Sequence, residues 1–352
     1  MPAKTPTLSS AQFKLLERLC NAVSVSGDEG EVRQIVLSEL KLFMDDTKVD
    51  ALGNVLVTRN ASGSKGVRVM LDAHMDEVGF MLVADDNEGL FQFETIGGID
   101  PRSLAGKQVV VGSDHTPGVI GAKPIHLTSR EERKRAIPAD TLRVDLGLGG
   151  NAKVGDRGTF APNFRRSGPS ILSKAIDNRI GVATLIELVK NAPPNVQLQA
   201  AFTVQEEIGL RGAKVAAHHF DPDLAIVIDS TPAHDLPMQT PGENTFYNSK
   251  LGLGPAIYLS NSSTIDDPRL VHFVVETARA AGLPFQFRQP GGGGTDAGAI
   301  QRSLSGVPVV SISVPHRYTH SAMSISRTDD WKHTLALLLA VLKHISPRIL
   351  KR

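Results

Sequence analysis

Short apolar segments with the two-residue period of β-strands alternate along the chain with longer segments that have helical spacing. The strand patterns cover residues 67–71, 196–204, 224–228 and 307–314, and the helical patterns cover residues 9–23, 179–190, 268–281 and 330–345. Residues 26–29 have the pattern of a capping box that opens a further helix ending near Leu40. Because strands alternate with helices, the sequence predicts an α/β domain whose mixed, largely parallel sheet is flanked by helices.

The segment between residues 81 and 168 lacks this alternation. It is rich in glycine, and turn signals such as Gly97-Gly98 and Gly149-Gly150-Asn151 separate its short apolar runs. The pattern predicts a small β-rich domain, residues 81–168, inserted into a discontinuous α/β domain formed by residues 1–80 and 169–352. Since such short runs build only a small core, we expect this insert to be an oligomerisation domain that packs against a second copy of the chain.

Composition narrows the class of protein. The 352 residues include 38 lysines and arginines and 37 aspartates and glutamates, and this net charge of +1 argues against a nucleic-acid partner. Hydrophobic residues make up 41% of the chain, but no apolar run approaches the roughly 20 residues of a membrane span. The single cysteine, Cys20, can form neither an intrachain disulfide nor a thiolate metal cluster. We expect a soluble, cytoplasmic protein that binds no membrane.

Acidic residues and histidines follow four of the predicted strands directly. The carboxyl ends of strands in such sheets share a ligand-binding crevice, so these side chains should lie together. They are His74, Asp76, Glu206, Glu207, Asp229 and His320, joined by Asp177 at the start of a predicted helix. Each one alone could be a charged strand end or a helix cap. Carboxylates and imidazoles without cysteine, gathered at one edge, predict instead a site for zinc, cobalt or manganese.

The residues around these positions resemble metallopeptidase family 42. This family comprises dinuclear aminopeptidases that include glutamyl and deblocking aminopeptidases and the tetrahedral TET particles. The similar segments appear in the order expected for the family and cover residues 73–79, 118–127, 175–181, 204–213, 292–298 and 315–321. The resemblance therefore spans nearly the whole chain and implies a zinc-aminopeptidase-like core.

The resemblance also implies a ligand set for two divalent metal ions per subunit. Asp177 would bridge the two ions, His74 and Asp229 would complete one site, and Glu207 and His320 would complete the other. Zinc or cobalt would occupy these sites, with manganese as a further candidate, because all three accept the same ligands.

Two catalytic residues follow from the same resemblance. Glu206 would act as the general base that activates a water bridging the two metals, and would later pass the proton to the leaving amine. Asp76, two residues past His74, would orient the imidazole. The family further implies a cis peptide after Asp177, short peptides with free N-termini as substrates, and a dimer or a twelve-subunit particle.

Other functions remain as alternatives at this stage. Another dinuclear amidohydrolase, a deacylase or a carboxypeptidase could use the same core. A glucanase normally needs two carboxylates without a metal and often aromatic platforms, whereas aromatic residues make up only 5% of this chain. A non-catalytic interaction protein is the least expected, because every ligand position carries a ligand residue. The sequence leaves open the preferred N-terminal residue, the native metal and the final oligomer size.

Overall fold

The computed structural model describes residues 7–62, 66–238, 244, 248–289 and 292–351. In this part of the chain the strands form a large mixed sheet and a closed barrel. The strands are β1 (Asp46–Val49), β2 (Val55–Arg59), β3 (Val67–His74), β4 (Gly79–Asp85), β5 (Leu90–Ile96), β6 (Gln108–Val111), β7 (Thr116–Gly121), β8 (Arg143–Asp145), β9 (Arg157–Phe160), β10 (Arg165–Ser167), β11 (Ser170–Ser173), β12 (Val196–Thr203), β13 (Leu224–Pro232), β14 (Ala256–Ile257), β15 (Gln286–Phe287), β16 (Val309–Arg317) and β17 (Ser324–Arg327). The α-helices are α1 (Ser10–Asn21), α2 (Gly30–Leu40), α3 (Ile176–Lys190), α4 (Arg211–Phe220), α5 (Pro268–Ala281), α6 (Ala297–Gln301) and α7 (Thr328–His344).

The large sheet has the order β1-β2-β12-β3-β13-β16-β17-β11-β10, with β14 and β15 attached beside β16. Its four central strands, β12, β3, β13 and β16, are mutually parallel, and the other strands pair antiparallel except for β14 with β15, which are parallel. These four are the strands that the sequence predicts, so the α/β prediction is confirmed. Three of them run past the predicted ends, because the parallel ladder continues through polar residues such as His74 and Asp229.

Helices cover both faces of this sheet. Helices α1, α2, α3, α5 and α7 share one apolar core with one set of strand residues, including Leu71 and Ile226. The alternate residues, including Met70 and Val227, pack against α4 and α6 on the other face. Helix α3 is apolar on nearly all sides because it lies between the sheet and the outer helices α1 and α7. Within the described ranges, no helix is both long and apolar enough to cross a membrane.

The predicted capping box at residues 26–29 is wrong. Helix α2 begins at Gly30, and the side chain of its N-cap residue Glu29 makes no capping hydrogen bond to the helix backbone. The Ser26 hydroxyl instead donates to Asp76 Oδ2 at 2.6 Å. A local pattern favoured a helix cap, but a buried carboxylate 50 positions away in sequence takes the hydroxyl.

The inserted segment forms a closed six-stranded barrel in the described chain, with the order β4-β5-β8-β7-β6-β9. Its interior is a separate apolar core that includes Phe80, Phe91 and Val144. The barrel strands lie between residues 79 and 160, whereas β10, which the predicted 81–168 insert includes, pairs with β11 in the large sheet. The chain thus leaves the α/β domain directly after His74 and returns shortly before Asp177, so both ends of the barrel domain lie beside predicted site residues.

Candidate metal centre

Asp177 lies at the middle of the side chains that gather at the strand ends. Its Oδ1 is 3.3 Å from Nε2 of His74, and its Oδ2 is 3.5 Å from Nε2 of His320. His74 Nε2 is also 3.6 Å from Asp229 Oδ1, and His320 Nε2 is 3.1 Å from Glu207 Oε2. The five side chains therefore form two groups that share one carboxylate, and within each group the ligand atoms lie within 4.8 Å of one another.

The start of helix α3 directs Asp177 toward this centre. Asp177 and Asn178 have non-helical backbone angles inside the helix range, and the peptide bond between them is cis, as the family resemblance implies. Asn178 Nδ2 donates to the carbonyl of Ile228 at 2.8 Å, directly before Asp229. This contact holds the first turn of α3 against the end of β13, which brings Asp177 and Asp229 together.

Asp76 connects three segments of the site. His74 Nδ1 lies 3.2 Å from the backbone carbonyl of Asp76 and 3.4 Å from its Oδ1, and these contacts orient the imidazole with Nε2 toward Asp177. The backbone N–H groups of Glu206 and Glu207 donate to Asp76 at 3.0 and 3.2 Å. The Ser26 hydroxyl is the third donor to the Asp76 carboxylate. Asp76 therefore fixes both the imidazole and the turn after β12 that carries the two glutamates.

The Glu206 carboxylate lies beside the two ligand groups that share Asp177 but belongs to neither of them. Its carboxylate lies within 4.8 Å of ligand atoms of His74 and Glu207, which defines a third group of potential ligands. Burial raises the pKa of Glu206 well above its usual range, and the neighbouring carboxylates add to the effect. A carboxyl group beside both potential cation sites is in position to exchange a proton with a water bound there.

Charge pairing sets the pKa values of the shared carboxylate and its histidines. Burial by itself raises the pKa of Asp177, but ion pairs with His320 and His74 lower it well below its usual range. Burial opposes the charged form of His320, yet Asp177 and Glu207 raise its pKa to about 11. Burial likewise opposes the charged form of His74, but Glu206 and the carboxylates around the imidazole raise its pKa well above its usual range.

The side chains fit a pair of divalent cations. Among the described residues, the ion-pair partners of Asp177, Glu207 and Asp229 are His74 and His320 alone. Glu207 Oε1 is buried there without a hydrogen-bond partner. Buried carboxylates need compensating charge, and carboxylate with imidazole is a ligand set that zinc, cobalt and manganese accept. Two cations would supply that charge and the missing partner.

A buried cluster of charged side chains, formed by Glu77, Lys174 and Arg179, connects the segments that carry the metal ligands. The sequence did not predict this cluster. Lys174 Nζ donates to both carboxylate oxygens of Glu77 at 2.8 Å, and Arg179 Nη2 donates to one of them at 2.8 Å. Burial opposes the charge of Glu77, but the two cations lower its pKa below its usual range. Glu77 follows His74 by three residues, and Lys174 and Arg179 flank Asp177 in sequence. The cluster therefore ties the end of β3 to the start of α3.

His316 is not part of the candidate metal centre. It is buried in β16, its Nε2 lies 2.8 Å from the Thr319 hydroxyl, and burial lowers its pKa to about 4. None of the potential ligand groups in the described residues includes it.

The fold and this centre define an α/β protein with a candidate dinuclear metal centre at the carboxyl edge of its parallel strands. The family model for M42 glutamyl aminopeptidase matches residues 53–337, which include the barrel. The chain therefore belongs to the M42 glutamyl aminopeptidase family. Membership of this metallopeptidase family makes the chain an aminopeptidase-type enzyme and implies divalent metal ions.

Individual relatives cover nearly the whole chain. Glutamyl aminopeptidase of Lactococcus lactis subsp. cremoris is 32% identical over 352 residues, which span 95% of this chain and 96% of that protein. Lysyl aminopeptidase of Pyrococcus furiosus is 31% identical over 350 residues, with coverage of 95% and 98%. The structure of the Pyrococcus horikoshii TET1 peptidase has a TM-score of 0.82, 34% identity, and coverage of 95% and 100%.

Proposed function

We propose that this protein is a dinuclear-metal aminopeptidase that removes N-terminal residues from short peptides. The observation that carries the proposal is the shared carboxylate: the two oxygens of Asp177 face different imidazoles, each with a further carboxylate beside it. His74, Asp177 and Asp229 would hold one cation, and Asp177, Glu207 and His320 the other. When bound, the pair would polarise the scissile carbonyl and lower the pKa of water.

Glu206 supplies the proton transfers in this proposal. Its place beside both groups suits a base that takes a proton from the attacking water and returns it to the leaving amine. Asp76 positions His74 and the backbone of Glu206, so it acts through these residues rather than on the substrate.

A peptide panel on metal-stripped protein tests the function. We expect chelator-treated protein to be inactive, and zinc, cobalt or manganese to restore cleavage of peptides with a free N-terminus. The same peptides carrying an N-terminal acetyl group should resist, and a C-terminal amide should make no difference. Cleavage from the carboxyl end, or removal of the acetyl group, would favour the carboxypeptidase or deacylase alternatives. Full activity after complete metal removal would exclude the mechanism.

We also propose that the chain self-associates through its barrel into a twelve-subunit tetrahedral particle built from dimers. Large apolar side chains are exposed on this domain, among them Ile125 at 70%, Leu127 at 61% and Leu148 at 85%. The similar Pyrococcus horikoshii peptidase is described as assembling into a tetrahedron or a large octahedral shell. Enclosed active sites would admit short peptides and exclude folded proteins.

Light scattering of the purified chain at micromolar concentration tests this assembly. We expect a mass close to twelve times that of a single chain. A dimer would support the contact between barrels but contradict the enclosed chamber, and a monomer would contradict both.

A further inference from the structure

The barrel domain reaches into one of the two candidate cation sites. The turn after β5 places the backbone carbonyl of Gly98 2.9 Å from Nδ1 of His320, although the two residues are 222 positions apart in sequence. An imidazole that donates its Nδ1–H to a carbonyl keeps Nε2 free as a ligand atom. For His320, that nitrogen faces Asp177 and Glu207.

The histidines of the two candidate sites are oriented from different domains. His74 is held by Asp76, its close neighbour in sequence, within the α/β domain. His320 is held by the barrel. The segment that carries it is also docked there, because Ala322 packs against the apolar core of the barrel. Asn163, which lies just after the last barrel strand, donates its Nδ2 to the Ala322 carbonyl at 2.7 Å.

Gly97 and Gly98 lie where the barrel backbone comes close to Glu207 and His320, and side chains at these positions would collide with their surroundings. Gly97 has φ +82°, and a Cβ there would lie 2.7 Å from Val78 Cγ1 and 3.3 Å from Glu207 Cβ. A Cβ on Gly98 would lie 3.3 Å from Nδ1 of His320. Side chains at these two positions would therefore push on both Glu207 and His320, the two ligands that one candidate site does not share with the other.

We propose that Gly97 and Gly98 are positioning residues for the cation site formed by Asp177, Glu207 and His320. The barrel supports His320 in this site, whereas His74 in the other site is supported by Asp76 of the α/β domain. The barrel is thus part of the metal centre in addition to its proposed role in assembly. The inference rests on the proposed function, because it presupposes two cations.

Zinc titration of the Gly98→Ala variant against a competing chelator tests the proposal. We expect the wild-type chain to bind two zinc ions, and the variant to bind one unchanged and the other about 10–100-fold more weakly, the usual loss when support for a ligand is removed. The matched control is Gly121→Ala, also in the barrel, where the added Cβ meets only the Arg143 carbonyl at 3.7 Å. The control should bind both ions as the wild type does.

The outcomes separate the inference from the function. If the wild type binds two ions and Gly98→Ala binds both equally tightly, the positioning role is overturned. If the wild type binds fewer than two, the proposed function itself fails. Cobalt absorption spectra add a readout of geometry, since only the bands of the affected site should change in the variant.

A His320→Ala background checks that the effect passes through this histidine. With the imidazole gone, Gly98→Ala should cause no further loss of zinc affinity, so the two substitutions should be non-additive. Additive losses would overturn the assignment. If the metal-free Gly98→Ala chain does not fold, Asp100→Ala replaces it, because Asp100 caps the turn that follows Gly98 through the backbone N–H of Arg102. Asp100→Ala should weaken the same ion, and an unchanged affinity would count against the proposal.

Discussion

The Glu206→Gln variant is expected to bind both cations with wild-type affinity while its kcat falls by about 10²–10⁴-fold, the usual contribution of a general base. Glutamine has nearly the same shape but cannot accept the proton from the attacking water. The backbone of residue 206 should stay in place, because its N–H donates to Asp76 at 3.0 Å and not to its own side chain. Metal analysis beside steady-state kinetics on a free N-terminal peptide measures both quantities.

The structure offers a competing role that the same experiment can detect. Glu206 forms a potential ligand group with His74 and Glu207, so it could bind a cation directly. Loss of a cation in Glu206→Gln would assign it that role and contradict the general base. Glu207→Gln serves as the reference for a ligand substitution and should lose one cation. Glu94→Gln, on the exposed side of a barrel strand, should change neither quantity.

In the Asp177→Asn variant, both cations should bind more than about 100-fold more weakly, exceeding the 10–100-fold loss typical of outer ligand partners. The reason is that both oxygens of Asp177 are used, one in each group. The neutral amide offers one oxygen acceptor and removes the negative charge that both cations share. Activity should be absent at metal concentrations that saturate the wild type, and competitive zinc titration gives the two affinities.

The matched control is Asp46→Asn on the exposed edge strand β1, which should bind metal as the wild type does. Selective loss of one cation in Asp177→Asn would mean that the aspartate serves a single site. In that case the two groups would not be joined as we propose, even if the enzyme still needed both metals.

The sequence predicted the parallel strands and the residues at their ends because both are local patterns. An apolar run followed by His74 or Asp229 can be recognised without knowledge of its neighbours, and the topology then brings the carboxyl ends of such strands together. The same reasoning predicted Asp76, whose position two residues beyond His74 is itself a local spacing.

The supporting contacts could not be predicted in this way, since their partners are distant in sequence. Ser26 donates to Asp76 across 50 positions, and Lys174 reaches Glu77 across 97. The motif around residues 26–29 satisfied a local rule for helix caps, and only the fold shows that the hydroxyl is used elsewhere. Gly98 carried no chemical signal at all, because its contribution to His320 is a backbone carbonyl.

The edges of the large sheet and the closure of the barrel influence how copies of this chain can meet. An exposed sheet edge invites strand addition and fibrous aggregation, and both ends of the large sheet are protected against it: β10 is three residues long and begins with two arginines, and β1 carries Asp46 and Lys48. The barrel is closed and has no free edge. At these edges, chains that crowd together at high concentration therefore meet through side chains rather than by strand addition, which favours finite, reversible assemblies over open-ended fibres.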